Sequence, residues 1–142
     1  MVPLSLSSQV KANLSEKLRS AGLRTTKQRI LLAHLLFGAG NRHITAEILF
    51  DEASRSGLRV SQATIYNTLN QFHKAGLLHE VIIDQGRSYF DTNLEEHHHF
   101  YVESEARLID IDQGEIVMGD LPKPPSGYQT DGIQIVIRLS NK

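Results

Sequence analysis

Three features predict an α+β chain in two parts. Helical hydrophobic periodicity runs to about residue 74, a strand–turn–strand pattern follows, and the remainder alternates short strand patterns with turns. A length of 142 residues suits one average domain or two small ones. The boundary is expected at residues 92/93. Charge divides the chain in a similar way. Residues 1–80 carry ten Lys/Arg against five Asp/Glu, net +5, and residues 81–142 carry five against eleven, net −6; together they give the overall −1. A basic front half faces anionic partners more readily than an acidic one.

The first helix is expected over residues 9–21, with Val10, Leu14, Leu18 and Ala21 at helical spacing and Gly22 placed to stop it. Thr26 is a cap for a second helix whose run Ile30 to Phe37 is apolar enough to be the central core element, ended by Gly38 and Gly40. Within it His34 reads as a core residue. Thr45 caps a third helix with Glu47 in its first turn, where the macrodipole favours an acid. Ser61 caps a fourth, from Gln62 to about Lys74, with Ile65, Leu69 and Phe72 on one core face. Its other positions, including Gln62, Thr64, Tyr66, Asn67 and Lys74, form hydrogen bonds and hold no acid. That composition suits base edges and phosphates better than a merely solvated face.

A hairpin is expected next, Leu78–Asp84 and Ser88–Asp91 around Asp84-Gln85-Gly86-Arg87. Helices, a helix-turn-helix pair and then a hairpin is the winged-helix order, in which the second helix of the pair enters the major groove. His73 and His79, flanking the end of that helix, read as phosphate contacts or exposed side chains. Beyond the hairpin, His98–Glu103 and Arg107–Ile111 read as strands, Gln113–Gly119 as a short helix or turn, Leu121–Gly127 as a loop and Ile133–Leu139 as a last strand with one apolar face. The exposed edges of such a sheet would be covered by dimerisation.

His97-His98-His99 is the segment with the most chemistry. Imidazole ligates both metal ions and haem iron. On an extended chain His97 and His99 share a face and His98 looks away. A turn centred between Ser104 and Glu105 sets His99 opposite Asp110, about 4.5–5.5 Å away at Cβ. The chain has no cysteine, which excludes disulfides, Cys-ligated zinc and iron–sulfur clusters, and fits a cytoplasmic protein. No apolar run approaches the roughly 18–20 residues of a membrane span, and the N-terminus lacks a signal-peptide pattern. His/Asp clusters also build hydrolase sites, but no nucleophile motif or Gly-rich phosphate loop accompanies this one, and no enzyme is expected.

The stretches Gly22–Arg29, His43–Leu49, Ser61–Phe72, Ala75-Gly76-Leu77, Tyr89-Phe90-Asp91 and the histidine triplet, in this order, resemble the ferric uptake regulator family over nearly the whole chain. The resemblance implies a winged helix-turn-helix DNA-binding domain followed by a small α/β dimerisation domain, in a homodimeric repressor of AT-rich inverted repeats. Tyr66 matches the family's recognition-helix tyrosine and Arg29 its phosphate-contacting arginine. Lys27, Gln62, Thr64 and Asn67 complete the expected DNA-binding set, with Asn67 standing where arginine is common. His43, Asp91, His97, His99 and Asp110 fall on the family's regulatory metal site, for Fe²⁺, Mn²⁺ or Zn²⁺. Val102 and Glu105 replace the first structural-zinc cysteine pair, so no structural four-cysteine zinc site is expected. That departure is similar to the iron response regulator branch, which implies haem at His97, His98 and His99 and loss of DNA binding, or of the protein's stability, when haem binds. The alternative is a repressor activated by the divalent ion.

Overall fold

Four helices begin at a hydroxyl that takes one of the otherwise unpaired N–H groups of the first turn. The computed structural model describes residues 5–142. Ser7 Oγ accepts from the Val10 N–H, Thr26 from Arg29, Thr45 from Ile48 and Ser61 from Thr64, opening α1 (Ser8–Ser20), α2 (Lys27–Phe37), α3 (Ala46–Arg55) and α4 (Gln62–Lys74). α1 closes with Gly22 in the left-handed region at φ +78°, while Leu23 N–H reaches back to the Leu18 carbonyl. His43–Ile44 is a two-residue strand, β1, between α2 and α3; nothing in two residues carries a periodicity, and the sequence reading did not include it. β2 (His79–Asp84) and β3 (Arg87–Asp91) form the hairpin, and the sheet order is β1-β3-β2, antiparallel throughout.

These elements form one compact unit that runs to Leu94; the second is Glu95–Lys142. The core of the first unit joins Leu18, Leu32, Leu36, Ile44, Leu49, Ile65, Leu69, Phe72 and Phe90, each 2% exposed or less. α4 therefore commits one face to the core, and Thr68, buried beside it, returns its hydroxyl to the Thr64 carbonyl at 2.8 Å. His34 lies half-buried. His73 and His79 do not reach outward as expected. Each has a ring nitrogen against a carbonyl, Leu78 at 3.0 Å and Leu94 at 2.8 Å. A carbonyl only accepts, so the ring N–H donates and both histidines are structural.

In the second unit β4 (His98–Val102) is the central strand, antiparallel to β5 (Arg107–Ile111) and parallel to β6 (Val136–Leu139). A 3-10 turn at Glu103–Glu105 and a left-handed Ala106 connect β4 to β5. One expectation holds and one fails here. Of the helix or turn expected in Gln113–Gly119 a turn forms, with Gly114 at φ +89° and the Glu115 N–H donating to the Asp112 carbonyl at 3.2 Å. The last strand spans Val136–Leu139 rather than starting at Ile133. Its partner supplies the reason, because β4 begins at His98, whose imidazole takes the Ile135 N–H at 3.1 Å.

Phe72→Ala should lower stability by about 3–5 kcal/mol, because it empties a fully buried site. Thr26→Ala, which removes only a cap, should cost about 1 kcal/mol. Urea unfolding at a fixed protein concentration checks both, and equal losses would contradict this placement of the core.

Candidate DNA-binding face and metal centre

α4 offers solvent a face made of Gln62, Tyr66, Asn67, Gln71 and Lys74, with Tyr66 52% exposed. Thr64 is half-buried and its hydroxyl lies 2.9 Å from Ser61 Oγ, so of the expected set it belongs to the cap as much as to the face. Lys27 is exposed at the start of α2. Arg29 is only partly exposed: Nη2 donates to Gln71 Oε1 at 2.5 Å and Nη1 to the Arg24 carbonyl at 2.9 Å. The first bond ties α2 to α4 and the second ties it to the loop before α2; a guanidinium has five donors, so N–H groups remain for a further acceptor.

The hairpin fixes the first histidine–carboxylate pair. β1 and β3 pair with His43 opposite Asp91 and Ile44 opposite Phe90, and His43 Nε2 lies 3.2 Å from Asp91 Oδ2. Asp91 is 1% exposed, and its Oδ1 accepts the Asn93 N–H at 2.9 Å. The strand end is clamped from the side. Arg42 N–H donates to Thr92 Oγ1, Thr92 N–H donates to the Arg42 carbonyl, and the Arg42 fork meets both carboxylate oxygens of Glu52 at 2.9 and 2.6 Å. Sequence reasoning missed this clamp; Arg42 and Glu52 are ten residues apart, and nothing local marks them as partners.

The second unit holds the other cluster. The β4–β5 register sets His99 opposite Asp110, and His97 and His99 place Nε2 at 3.2 and 3.3 Å from the same Asp110 Oδ1. Their rings are 4.5 Å apart. His97 Nδ1 faces the Glu95 carbonyl and must donate to it, which turns Nε2 toward the carboxylate. That is the outer-shell arrangement that orients an imidazole ligand. Two nitrogens near one carboxylate oxygen need a proton or a cation between them. Ligand bonds of about 2.0–2.1 Å put tetrahedral ligand atoms roughly 3.3–3.4 Å apart, so the separations present suit a metal ion. His98 faces elsewhere and is held by the Ile135 N–H.

The profile of the family described as "Ferric uptake regulator family" matches residues 20–134. The chain belongs to the ferric uptake regulator family. The ferric uptake regulation protein of Legionella pneumophila is 37% identical over 84 residues, 59% of this chain and 62% of that protein. The Shigella flexneri protein is 33% identical over 100 residues, 70% and 63%, so the match spans under two thirds of both relatives' length. The Pseudomonas aeruginosa protein is 31% identical over 103 residues, 72% of each chain. Among solved structures, the Pseudomonas aeruginosa regulator with manganese superposes with TM-score 0.67 at 26% identity, covering 90% of this chain and 97% of that one. The Vibrio cholerae regulator, at 21% identity and TM-score 0.69, shares the fold. The fold is thus the family's α+β arrangement, a winged helix-turn-helix unit followed by a small unit that, among the described residues, holds a three-stranded sheet and no α-helix, where an α/β unit was expected.

Arg29→Gln should lower stability by about 1–2 kcal/mol, since it breaks the α2–α4 bridge. Lys27→Gln should leave the unfolding midpoint in place. Urea titration distinguishes them, and an unchanged Arg29→Gln would remove the bridge from the account.

Proposed function

We propose that the chain is a homodimeric DNA-binding transcription regulator of AT-rich inverted repeats, a repressor whose grip on DNA is set by a divalent ion. The observation that carries this reading is the solvent face of α4, hydrogen-bonding or basic at Gln62, Tyr66, Asn67, Gln71 and Lys74 and free of acids. Tyr66 and Asn67 are the side chains for base edges, with Gln62 and Thr64 beside them; Lys27 and Arg29 take phosphates. The second unit carries exposed apolar side chains at Met118, Leu121, Tyr128, Ile133 and Ile137, which suit burial against a second copy.

His43, Asp91, His97, His99 and Asp110 are proposed as the ion's ligands. Each unit supplies imidazole and carboxylate already paired. Three nitrogens and two carboxylates suit Fe²⁺, Mn²⁺ or Zn²⁺, and the related Pseudomonas aeruginosa regulator is one found with manganese. A bound ion would supply a fixed positive charge that draws these side chains into one coordination geometry. By linkage, an ion that tightens DNA binding is itself bound more tightly on DNA.

Haem at His97, His98 and His99, as in the iron response regulator branch, is the second reading. His98 bears on it directly. Its Nδ1 accepts the Ile135 N–H, so its proton sits on Nε2. Ligation through Nε2 would need that proton moved to Nδ1, against the Ile135 donor. The ion reading asks for no such exchange and is preferred.

Fluorescence anisotropy of the metal-stripped protein on AT-rich inverted repeats, titrated in parallel with Mn²⁺ and with haem, tests the choice. Binding that appears with Mn²⁺ and ignores haem is expected. Loss of binding on adding haem, reversed by substituting His97, His98 and His99, would put the haem reading in its place. No binding to any duplex under either condition would overturn the DNA reading.

A further inference from the structure

The His43–Asp91 pair proposed for the ion is the last rung of its ladder. β1 is two residues long, and past His43 and Asp91 the regular pairing with β3 stops. A terminal rung frays unless the chain beyond it is held together. On the inner side Ile44 and Phe90, both buried, hold it by packing. On the outer side Arg42 and Thr92 belong to no strand, and one hydroxyl replaces the missing rung. Thr92 Oγ1 accepts the Arg42 N–H at 2.8 Å and donates to the Arg42 carbonyl at 3.3 Å. The Thr92 N–H donates to that same carbonyl at 3.1 Å.

Both ends of this clamp are themselves fixed. The Arg42 fork grips Glu52 of α3, and its Nη1 also reaches the Leu35 carbonyl in the last turn of α2. Asp91, one residue before Thr92, has Oδ1 engaged by the Asn93 N–H, which leaves Oδ2 against His43. Thr92 is buried, so water competes little for its hydroxyl. That hydroxyl bonds to Arg42 rather than to either ligand, and it acts on them only through the backbone they share.

We infer that Thr92 is a positioning residue for the ion: its hydroxyl keeps His43 opposite Asp91 before the ion arrives, so that binding does not have to order the pair. This rests on the ligand reading above. A site that must be ordered on binding loses affinity by the cost of that ordering. The signature is therefore weaker ion binding with an unchanged set of ligands.

The test compares wild type, Thr92→Val, Thr92→Ser and His43→Ala as metal-stripped full chains. Mn²⁺ affinity is measured by competition with a fluorescent chelator. Valine keeps the branched shape and suits extended backbone, so the fold is retained; serine keeps the hydroxyl. Thr92→Val should weaken Mn²⁺ binding about tenfold, the lower end of the loss on removing a group that orients a ligand. Thr92→Ser should bind as wild type does. Saturated with Co²⁺, Thr92→Val should give the wild-type visible spectrum, because every ligand is present, and His43→Ala an altered one. A threonine of merely structural value would lower the urea midpoint of the metal-free chain and leave Mn²⁺ affinity where it was. That outcome overturns the inference. So does a Thr92→Ser loss equal to that of Thr92→Val, or a changed Co²⁺ spectrum in Thr92→Val. Wild-type affinity and spectrum in His43→Ala would instead sink the ligand reading itself.

Discussion

Strand register is the constraint on which the chemistry of this chain depends. In each unit a histidine stands directly across an antiparallel ladder from an aspartate, His43 from Asp91 and His99 from Asp110. A slip of one residue would send each imidazole to the other face of its sheet. The polar pairs are not what prevents it, since taking a His–Asp pair out of water offsets much of its attraction. Their apolar neighbours prevent it. Ile44 faces Phe90 and Tyr101 faces Leu108, all four buried, and exposing each large side chain would cost about 1.5–3 kcal/mol. Hydrophobic burial therefore sets the register, and the register sets the candidate ligands.

The same logic explains why one face of α4 stays available. Ile65, Thr68, Leu69 and Phe72 are committed to the core, and Gln71 is tied back to α2 through Arg29. What remains is a row that the fold has no internal use for. Caps at both neighbouring helices fix where that row starts: Thr45 ends β1 and opens α3, and Ser61 opens α4. The Arg42–Glu52 fork then binds the β1 end of the sheet to α3 and, through the Leu35 carbonyl at 3.1 Å, to α2. His43 is the next residue along.

The elements legible in the sequence are those decided locally. Three helices of the first unit start one residue after a hydroxyl that the sequence marks as a cap, Thr26, Thr45 and Ser61, because capping involves only the next three residues. The turn at Glu103–Glu105 is equally local, and from it the pairing of His99 with Asp110 follows by counting. Longer-range features could not be read. β1 is a strand only because β3 lies beside it, 48 residues on at the His43↔Asp91 pair. His73 and His79 looked outward in the sequence, yet their carbonyl partners come from chain returning past the helix end. Periodicity also misled at 133–139. The alternation there is real, but a ladder can only be as long as the partner strand offers.

The histidine triplet shows how three identical side chains acquire different chemistry. Alternation along β4 places His99 on the buried side with Tyr101, where Asp110 is within reach, and His97 joins it through its bond to the Glu95 carbonyl. His98 lies on the opposite face and is bound to Ile135, the last residue before β6. The backbone continues that connection, since His99 N–H donates to the Ile135 carbonyl at 3.1 Å. His98 thus helps begin a parallel pairing that follows a long crossover, the kind of closure with the largest entropic cost in so small a sheet. A ligand that recruits all three histidines must break the start of β6. One that recruits only His97 and His99 leaves the sheet intact. The sheet therefore tolerates a small ion at the triplet more readily than a ligand that needs all three imidazoles.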